Sequence, residues 1–394
     1  MKIVTLKIKN YRVFEYLEIE NIPPFCVIIG ANGTGKSTLF DIFGFLRDAL
    51  KNNIRQALQV RGGYKEVITR GKEEEDIEIE VQFQMKILDT ERLVTYLLII
   101  GQDNKRPVIK REILRYKRGE YGKPFHFLDF KLGKGYAVTN EEDFSKPDEE
   151  LDREEQQLES NDILAIKGLG QFQRFKAASA FRLLIENWHV SDFHINEARG
   201  SKDALYAEHL SPTGDNMASV AQYIYQNHPD IFETILTKMK DRVPGISTVE
   251  AKDTEDGRLI LKFQDQAFKD PFIDRYVSDG TMKMFAYLIL LFDPKPHPLL
   301  CVEEPENQLY PTLLRELAEE FANYADRGGQ VFVSTHSPDF LNAVSLESIF
   351  WLIKKQGITK IYKAKDNEIL KKLVVEGDLP GYLWNQGWFE GVAP

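Results

Sequence analysis

Apolar and polar positions alternate along this chain at two different spacings. Ile77, Ile79, Val81 and Phe83 alternate with Glu78, Glu80, Gln82 and Gln84, the period of a half-buried antiparallel strand. Leu93 to Ile100 and Val108 to Tyr116 continue that pattern as two further strands. Phe25 to Ile29 is an unbroken apolar run, as a fully buried strand requires, and from Lys36 onward Leu39, Ile42, Phe43, Leu46 and Leu50 recur at helical spacing. Asn216 to Gln226 and Pro229 to Val243 read as amphipathic helices ended by Pro244 and Gly245. Beyond them, Arg258 to Phe263 is strand-like and Thr281 to Phe292 is an apolar helix. Pro298 to Glu303 is a buried strand. A helix opens at Pro311 and closes at Gly328-Gly329, and Val331 to Ser334 is another buried strand.

Three regions follow. Residues 1–118 form one α/β lobe, residues 119–245 an acidic loop and a mainly helical insertion, and residues 246–394 a second α/β lobe. The two lobes read as halves of one core interrupted by the insertion. No heptad pattern persists and no internal repeat appears.

Composition narrows the class. With 43% hydrophobic and 28% charged residues the chain reads as an ordinary globular protein. The start of the chain lacks a signal-peptide layout, and the longest apolar run, Met284 to Phe292, is too short to span a bilayer. Cys26 and Cys301 each sit in an apolar run, so buried thiols and a cytoplasmic location are expected. A net charge of -10 argues against a surface that binds nucleic acid everywhere. It leaves room for a local patch. Lys105, Arg106, Lys110, Arg111, Arg115, Lys117 and Arg118 crowd one segment, either as a solvated strand face or as a track for phosphates. The acid-rich stretch from Glu141 to Glu159 reads as an exposed or disordered loop.

Between the strand at Phe25 and the helix at Lys36 runs Gly30-Ala31-Asn32-Gly33-Thr34-Gly35-Lys36-Ser37, which fits G-x-x-x-x-G-K-[ST] and is followed by Thr38. Glycines let backbone N–H groups close around phosphates, and the helix N-terminus adds partial positive charge. Lys36 is then expected to reach the β- and γ-phosphates and Ser37 to bind Mg²⁺. Leu299 to Glu304 is a strand ending in paired carboxylates, with Glu303 suited to the metal and Glu304 to the attacking water. His336, at the end of the strand from Val331, is placed to touch the γ-phosphate. Ser278-Asp279-Gly280-Thr281 opens the apolar helix. Ser278 and Gly280 there offer a second anion site, expected to meet the γ-phosphate of another subunit, and a plain helix cap is the simpler reading.

The order of Lys36, Ser278-Asp279-Gly280, Glu303-Glu304 and His336 resembles the ATP-binding-cassette class of P-loop ATPases. Ile8-Lys9-Asn10-Tyr11-Arg12 followed by the glycine loop resembles its RecF, SMC and OLD branch. Glu303 to Pro311 is similar to the Asp-Glu-Pro-Glu-x-x-Leu-His-Pro segment of OLD-type ATPases. The resemblance implies an ABC-ATPase head: a mixed sheet with flanking helices, an antiparallel subdomain and a helical insertion. It further implies ATP and Mg²⁺ as cofactors, ATP hydrolysis, a homodimer closed around ATP, and nucleotide contact by Arg12. Glu303 stands where Asp is usual and Tyr310 where His is common. No residue stands out as the glutamine that senses Mg²⁺; Gln82 and Gln84 are candidates.

OLD nucleases carry a Toprim domain after the histidine strand, and nothing here resembles its acidic cluster, so any nuclease is expected to be a separate effector. His189, Asp192, His194 and Glu197 have a spacing a metal could use, with ordinary packing as the simpler account. The leading expectation is a switch ATPase of DNA maintenance or antiphage defence. An ATP-gated scaffold that does not touch DNA and a transporter subunit are the other readings.

Overall fold

Alternation builds the largest sheet. In the computed structural model, which describes residues 2–390 apart from 88, 119–122, 192 and 194, eight strands pair antiparallel throughout. Their order is Phe14–Ile19, Lys2–Tyr11, Ile77–Ile87, Thr90–Asp103, Arg106–Tyr116, Phe125–Lys131, Lys134–Val138 and Arg153–Gln157. The strand Ile77–Ile87 buries every second residue, as its sequence pattern requires.

The second sheet is the core of the nucleotide-type lobe. Its order is His189–Ser191, Leu300–Glu303, Val331–Ser334, Phe25–Gly30, Ile349–Lys355 and Ile358–Lys363. All neighbours are parallel except the last pair. Both faces of these strands are covered. Cys26, Ile28, Cys301 and Phe332 enter one apolar core, while Val27, Ile29, Leu300, Val302, Val331 and Val333 enter the other. Burial on two sides is why they read as unbroken apolar runs. A small third sheet holds Lys202–Asp203, Arg258–Asp265, Ile246–Asp253 and Phe272–Ile273.

The first helix, Lys36–Lys51, lies between the two large sheets. Phe43 packs on Phe332 of the core sheet at 5.3 Å between ring centres, and Phe45 meets Tyr11 of the antiparallel sheet at 6.0 Å. Among the described residues no helix is long and apolar enough to cross a membrane.

The stretch 119–245 differs from its expectation as an acidic loop that turns helical. The helices Lys176–Glu186, Met217–Asn227 and Pro229–Arg242 are present, but Phe125–Lys131, Lys134–Val138 and Arg153–Gln157 extend the antiparallel sheet, and His189–Ser191 edges the core sheet. The outermost strand, Arg-Glu-Glu-Gln-Gln, has no fully buried residue. Polar composition suits an edge strand, which must not invite further pairing, and it hides the strand from pattern reading.

The acid-rich segment is likewise not simply exposed. Glu141 is buried at 1% exposure, accepts a hydrogen bond from the Tyr116 hydroxyl at 2.7 Å, and accepts the Ala177 N–H at the start of the helix Lys176–Glu186. Glu112 does the same for the short helix Ala165–Leu169, accepting from the Ile166 N–H at 3.1 Å and from Tyr96. Burial pushes both carboxyls up to about 7, against the hydrogen bonds they accept. Their folded pKa therefore lies above the unfolded value. Each favours the fold most below the unfolded pKa, and that contribution is lost as pH rises through about 7. Chemical denaturation of the double variant Glu112→Gln, Glu141→Gln should show a flatter fall in stability between about pH 5 and about pH 7 than the parent.

Candidate nucleotide site

The glycine loop runs from the C-terminal end of Phe25–Gly30 into the first helix, and its geometry needs its glycines. Gly35 has φ +102°, and a Cβ there would sit 2.5 Å from Val13 Cγ2. A side chain at Gly30 would sit 2.6 Å from Thr34 Oγ1 and 3.0 Å from the Leu352 carbonyl. Lys36 folds back on the loop, donating to the Gly30 carbonyl at 2.9 Å and to Ala31 at 3.4 Å. Burial lowers its pKa, and Glu304, Glu303 and Glu306 pull the other way.

Parallel pairing brings the acidic and histidine strands to the same edge. Val27 pairs with Val333, and Val333 with Val302, so the C-terminal ends of all three strands converge. That edge is where open α/β sheets bind ligands. The Ser37 hydroxyl donates directly to Glu303 Oε2. A hydroxyl and a carboxylate on adjoining elements make an oxygen donor set suited to Mg²⁺. Glu304 has φ +41°, a left-handed conformation that a non-glycine residue adopts only when its surroundings impose it. Its N–H donates to the Ser334 carbonyl at 2.9 Å, and its carboxylate lies 3.4 Å from His336 Nε2 and accepts from Asn307 Nδ2 at 3.0 Å. The His336 N–H donates to Glu306 at 2.6 Å. Burial, then the Lys36 charge, lower the His336 pKa, which keeps the ring neutral at pH 7 although Glu304 and Glu306 oppose them.

Ser278 caps the helix Asp279–Leu291, accepting from the Thr281 N–H at 3.2 Å. Gly280 lies under the loop after the acidic strand, where a Cβ would come 2.8 Å from the Gln308 carbonyl. Arg12 pairs with Asp41 on the first helix at 3.3 Å. Gln82 and Gln84 lie within the strand Ile77–Ile87, opposite Thr5 and Lys2. Tyr310 is 70% exposed.

The structure separates the other candidates. Lys110, Arg111, Arg115 and Arg118 pair with Asp76, Asp129, Glu80 and Asp148. The segment is thus largely an ion-paired strand face. Of the proposed metal quartet, Glu197 is exposed on a short helix, His189 turns to a different cluster, and Asp192 and His194 lie outside the described residues.

Residues that pattern reading missed hold the site in place. Thr359 is fully buried and donates to the Thr34 carbonyl at 2.8 Å. Arg199 holds the start of the helix Asp279–Leu291, pairing with Asp279 and donating to the Val277 carbonyl at 2.8 Å. Neither sits in a motif, so only the fold reveals them.

A family model described as "AAA domain, putative AbiEii toxin, Type IV TA system" matches residues 25–342. The chain belongs to that AAA family. Two solved structures share its fold. The SMC head bound to the C-winged helix domain of ScpA has a TM-score of 0.58 at 13% identity, with 92% of this chain and 98% of that one covered. The Smc head with an extended coiled coil bound to the C-terminal domain of ScpA, derived from Pyrococcus furiosus, has a TM-score of 0.54 at 12% identity, with 94% and 99% covered. No curated protein matches. This member of the family is an ATPase-type P-loop protein with the SMC-head, ABC-type fold.

Thr359→Val should keep the fold and weaken nucleotide binding, because the Thr34 carbonyl loses a buried donor worth about 1 kcal/mol. A fluorescent ATP analogue should show roughly five-fold weaker binding at that energy. Unchanged binding would mean the loop holds its shape without Thr359.

Proposed function

We propose that the chain binds and hydrolyses ATP with Mg²⁺, and that ATP closes two copies of it into a dimer. The observation that carries this reading is the Ser37–Glu303 hydrogen bond at the sheet edge, beside Lys36, Glu304 and His336. Residues 30–38 wrap the phosphates, with Gly30, Ala31, Asn32, Gly33, Thr34, Gly35 and Thr38 offering backbone or side-chain donors. Lys36 leaves its own loop carbonyls to meet the β- and γ-phosphates. Mg²⁺, held by Ser37 and Glu303, would neutralise charge on the phosphates. Glu304 takes the proton of the attacking water, held by Asn307 on one side and facing His336 on the other. Neutral His336 offers a hydrogen bond at the γ-phosphate. Ser278 and Gly280 present the helix start to the ATP of the second copy. Arg12, paired to Asp41 on the first helix, is held beside the glycine loop as a further contact for nucleotide.

The signal then passes to a separate effector. The ion-paired basic segment favours a protein effector over direct DNA contact, which is the scaffold-like alternative. The family description names a toxin and a toxin–antitoxin system, which supports defence over DNA maintenance as the setting.

ATP turnover by the purified chain, with and without duplex DNA, tests this. Glu304→Gln should lose about 100-fold or more of the rate while still binding ATP, and should double in mass by light scattering when ATP is added. Lys36→Ala should neither bind nor dimerise. Parent-like turnover in Glu304→Gln would remove Glu304 from the chemistry. Stimulation by DNA would restore the DNA-acting reading.

A further inference from the structure

The loop between the signature helix Asp279–Leu291 and the acidic strand carries Asp293 and His297, four residues apart. His209, just before the helix Met217–Asn227, packs against them. Its Nδ1 lies 2.7 Å from Asp293 Oδ2, and His297 Nε2 lies 3.9 Å from the same oxygen. One donor atom from each residue lies within 4.8 Å of the other two. Side-chain exposure is 3% for Asp293 and 8% for His297, against 35% for His209.

Two observations set this cluster apart from an ordinary buried ion pair. His297 Nδ1 sits 3.0 Å from the Asn187 carbonyl. A carbonyl only accepts, so Nδ1 carries the proton and, in the neutral ring, Nε2 holds the lone pair. A backbone carbonyl on the far nitrogen is how proteins orient a metal-binding imidazole. Yet this Nε2 is buried and, among the described residues, has no hydrogen-bond partner. The second observation concerns His189. Its ring lies 4.8 Å from that of His297, and its buried Nε2 likewise has no hydrogen-bond partner among the described residues. Leaving such groups unsatisfied carries a desolvation penalty. The nearby cations are engaged elsewhere: Lys295 pairs with Glu208 at 2.7 Å and Arg47 donates to the Trp188 carbonyl at 3.4 Å.

We propose that His209, Asp293 and His297 bind a divalent transition metal of the Zn²⁺ class. Two imidazoles and one carboxylate are a borderline donor set. With a single carboxylate the cluster is oxygen-poor for Ca²⁺ or Mg²⁺, and without thiolate it is unlike a soft-metal site. Metal–ligand bonds of about 2.0–2.2 Å place donors roughly 3.5 Å apart. The His209–Asp293 contact would open and the His297–Asp293 contact would close, both by small side-chain rotations. The half-exposed His209 gives the ion a way in. The site stands at the start of the acidic strand, and the nucleotide edge is at its end. A bound ion would therefore pin the loop that joins the signature helix to that strand, together with the segment holding His209. The inference does not depend on ATP hydrolysis.

The full chain, freed of metal with chelator and kept without nucleotide, should take up one Zn²⁺ per molecule by elemental analysis after desalting. Zn²⁺ should raise its thermal midpoint, and excess chelator should reverse the rise. His209→Gln, at the exposed position, should fold normally and bind Zn²⁺ at least about ten-fold more weakly. Glu303→Gln should bind as the parent does, which separates this site from the Mg²⁺ position. Failure of the parent to retain Zn²⁺, or equal binding by parent and His209→Gln, overturns the proposal.

Discussion

Parallel pairing of three strands drawn from opposite ends of the chain is the constraint on which the site depends. Phe25–Gly30 comes from the first lobe, and Leu300–Glu303 and Val331–Ser334 come from the last. Their side chains alternate into two separate cores, and a slip of one residue would turn each apolar set toward the wrong face. The register is therefore fixed by burial on both sides. Once it is fixed, Glu303 stands beside Ser334, and Ser334 beside Ile28, two residues before the glycine loop begins. Residues more than 260 positions apart, Ser37 and Glu303, then touch without a connection of their own. Gln330 ties the antiparallel sheet to this arrangement. It is fully buried, and its amide both donates to and accepts from the backbone of Ile3, at 2.9 and 2.6 Å.

Charge balance at that edge follows from the same convergence. Lys36 is held among Glu303, Glu304 and Glu306, which offset the burial that lowers its pKa. Lys36 facing three carboxylates suits a site that receives a polyanion with its metal, since an incoming divalent ion adds positive charge among them. Neutral His336 fits the same balance. It adds a hydrogen-bonding group beside Glu304 without adding charge.

Much of this was legible in the sequence wherever the determinant is local. The glycine loop, the helix after it, and the strand Val331–Ser334 follow from spacing and apolar runs, because two-sided burial leaves a continuous signature. The acid-rich segment was misread because the role of Glu141 comes from Tyr116 and from the start of a helix 36 residues later. The basic segment was ambiguous for the same reason. Its partners Asp76, Glu80, Asp129 and Asp148 lie on other strands or a distant turn. His189 drew attention with its sequence neighbours, but in space it faces His297. Thr359 and Arg199 lie in no motif, and what each does is fixed only by tertiary contact.

The start of the helix Asp279–Leu291 and Glu304 are joined within one chain, and this bears on how a switch would work. Lys283 donates to the Asn307 carbonyl at 2.8 Å, and Gln308 donates to Asp279 at 3.4 Å. Asn307 in turn holds Glu304. Gly280 leaves no room for a side chain against the Gln308 carbonyl, so the helix start and the Glu304–Gln308 turn rest on each other directly. A second copy that pressed on Ser278 and Gly280 would act on the same turn that sets the left-handed conformation of Glu304. The coupling needs no long pathway: two hydrogen bonds and one close backbone approach connect the start of the helix Asp279–Leu291 to the turn that carries Glu304. Differential contact with these groups is what ATP closure must supply if it is to change the state of Glu304.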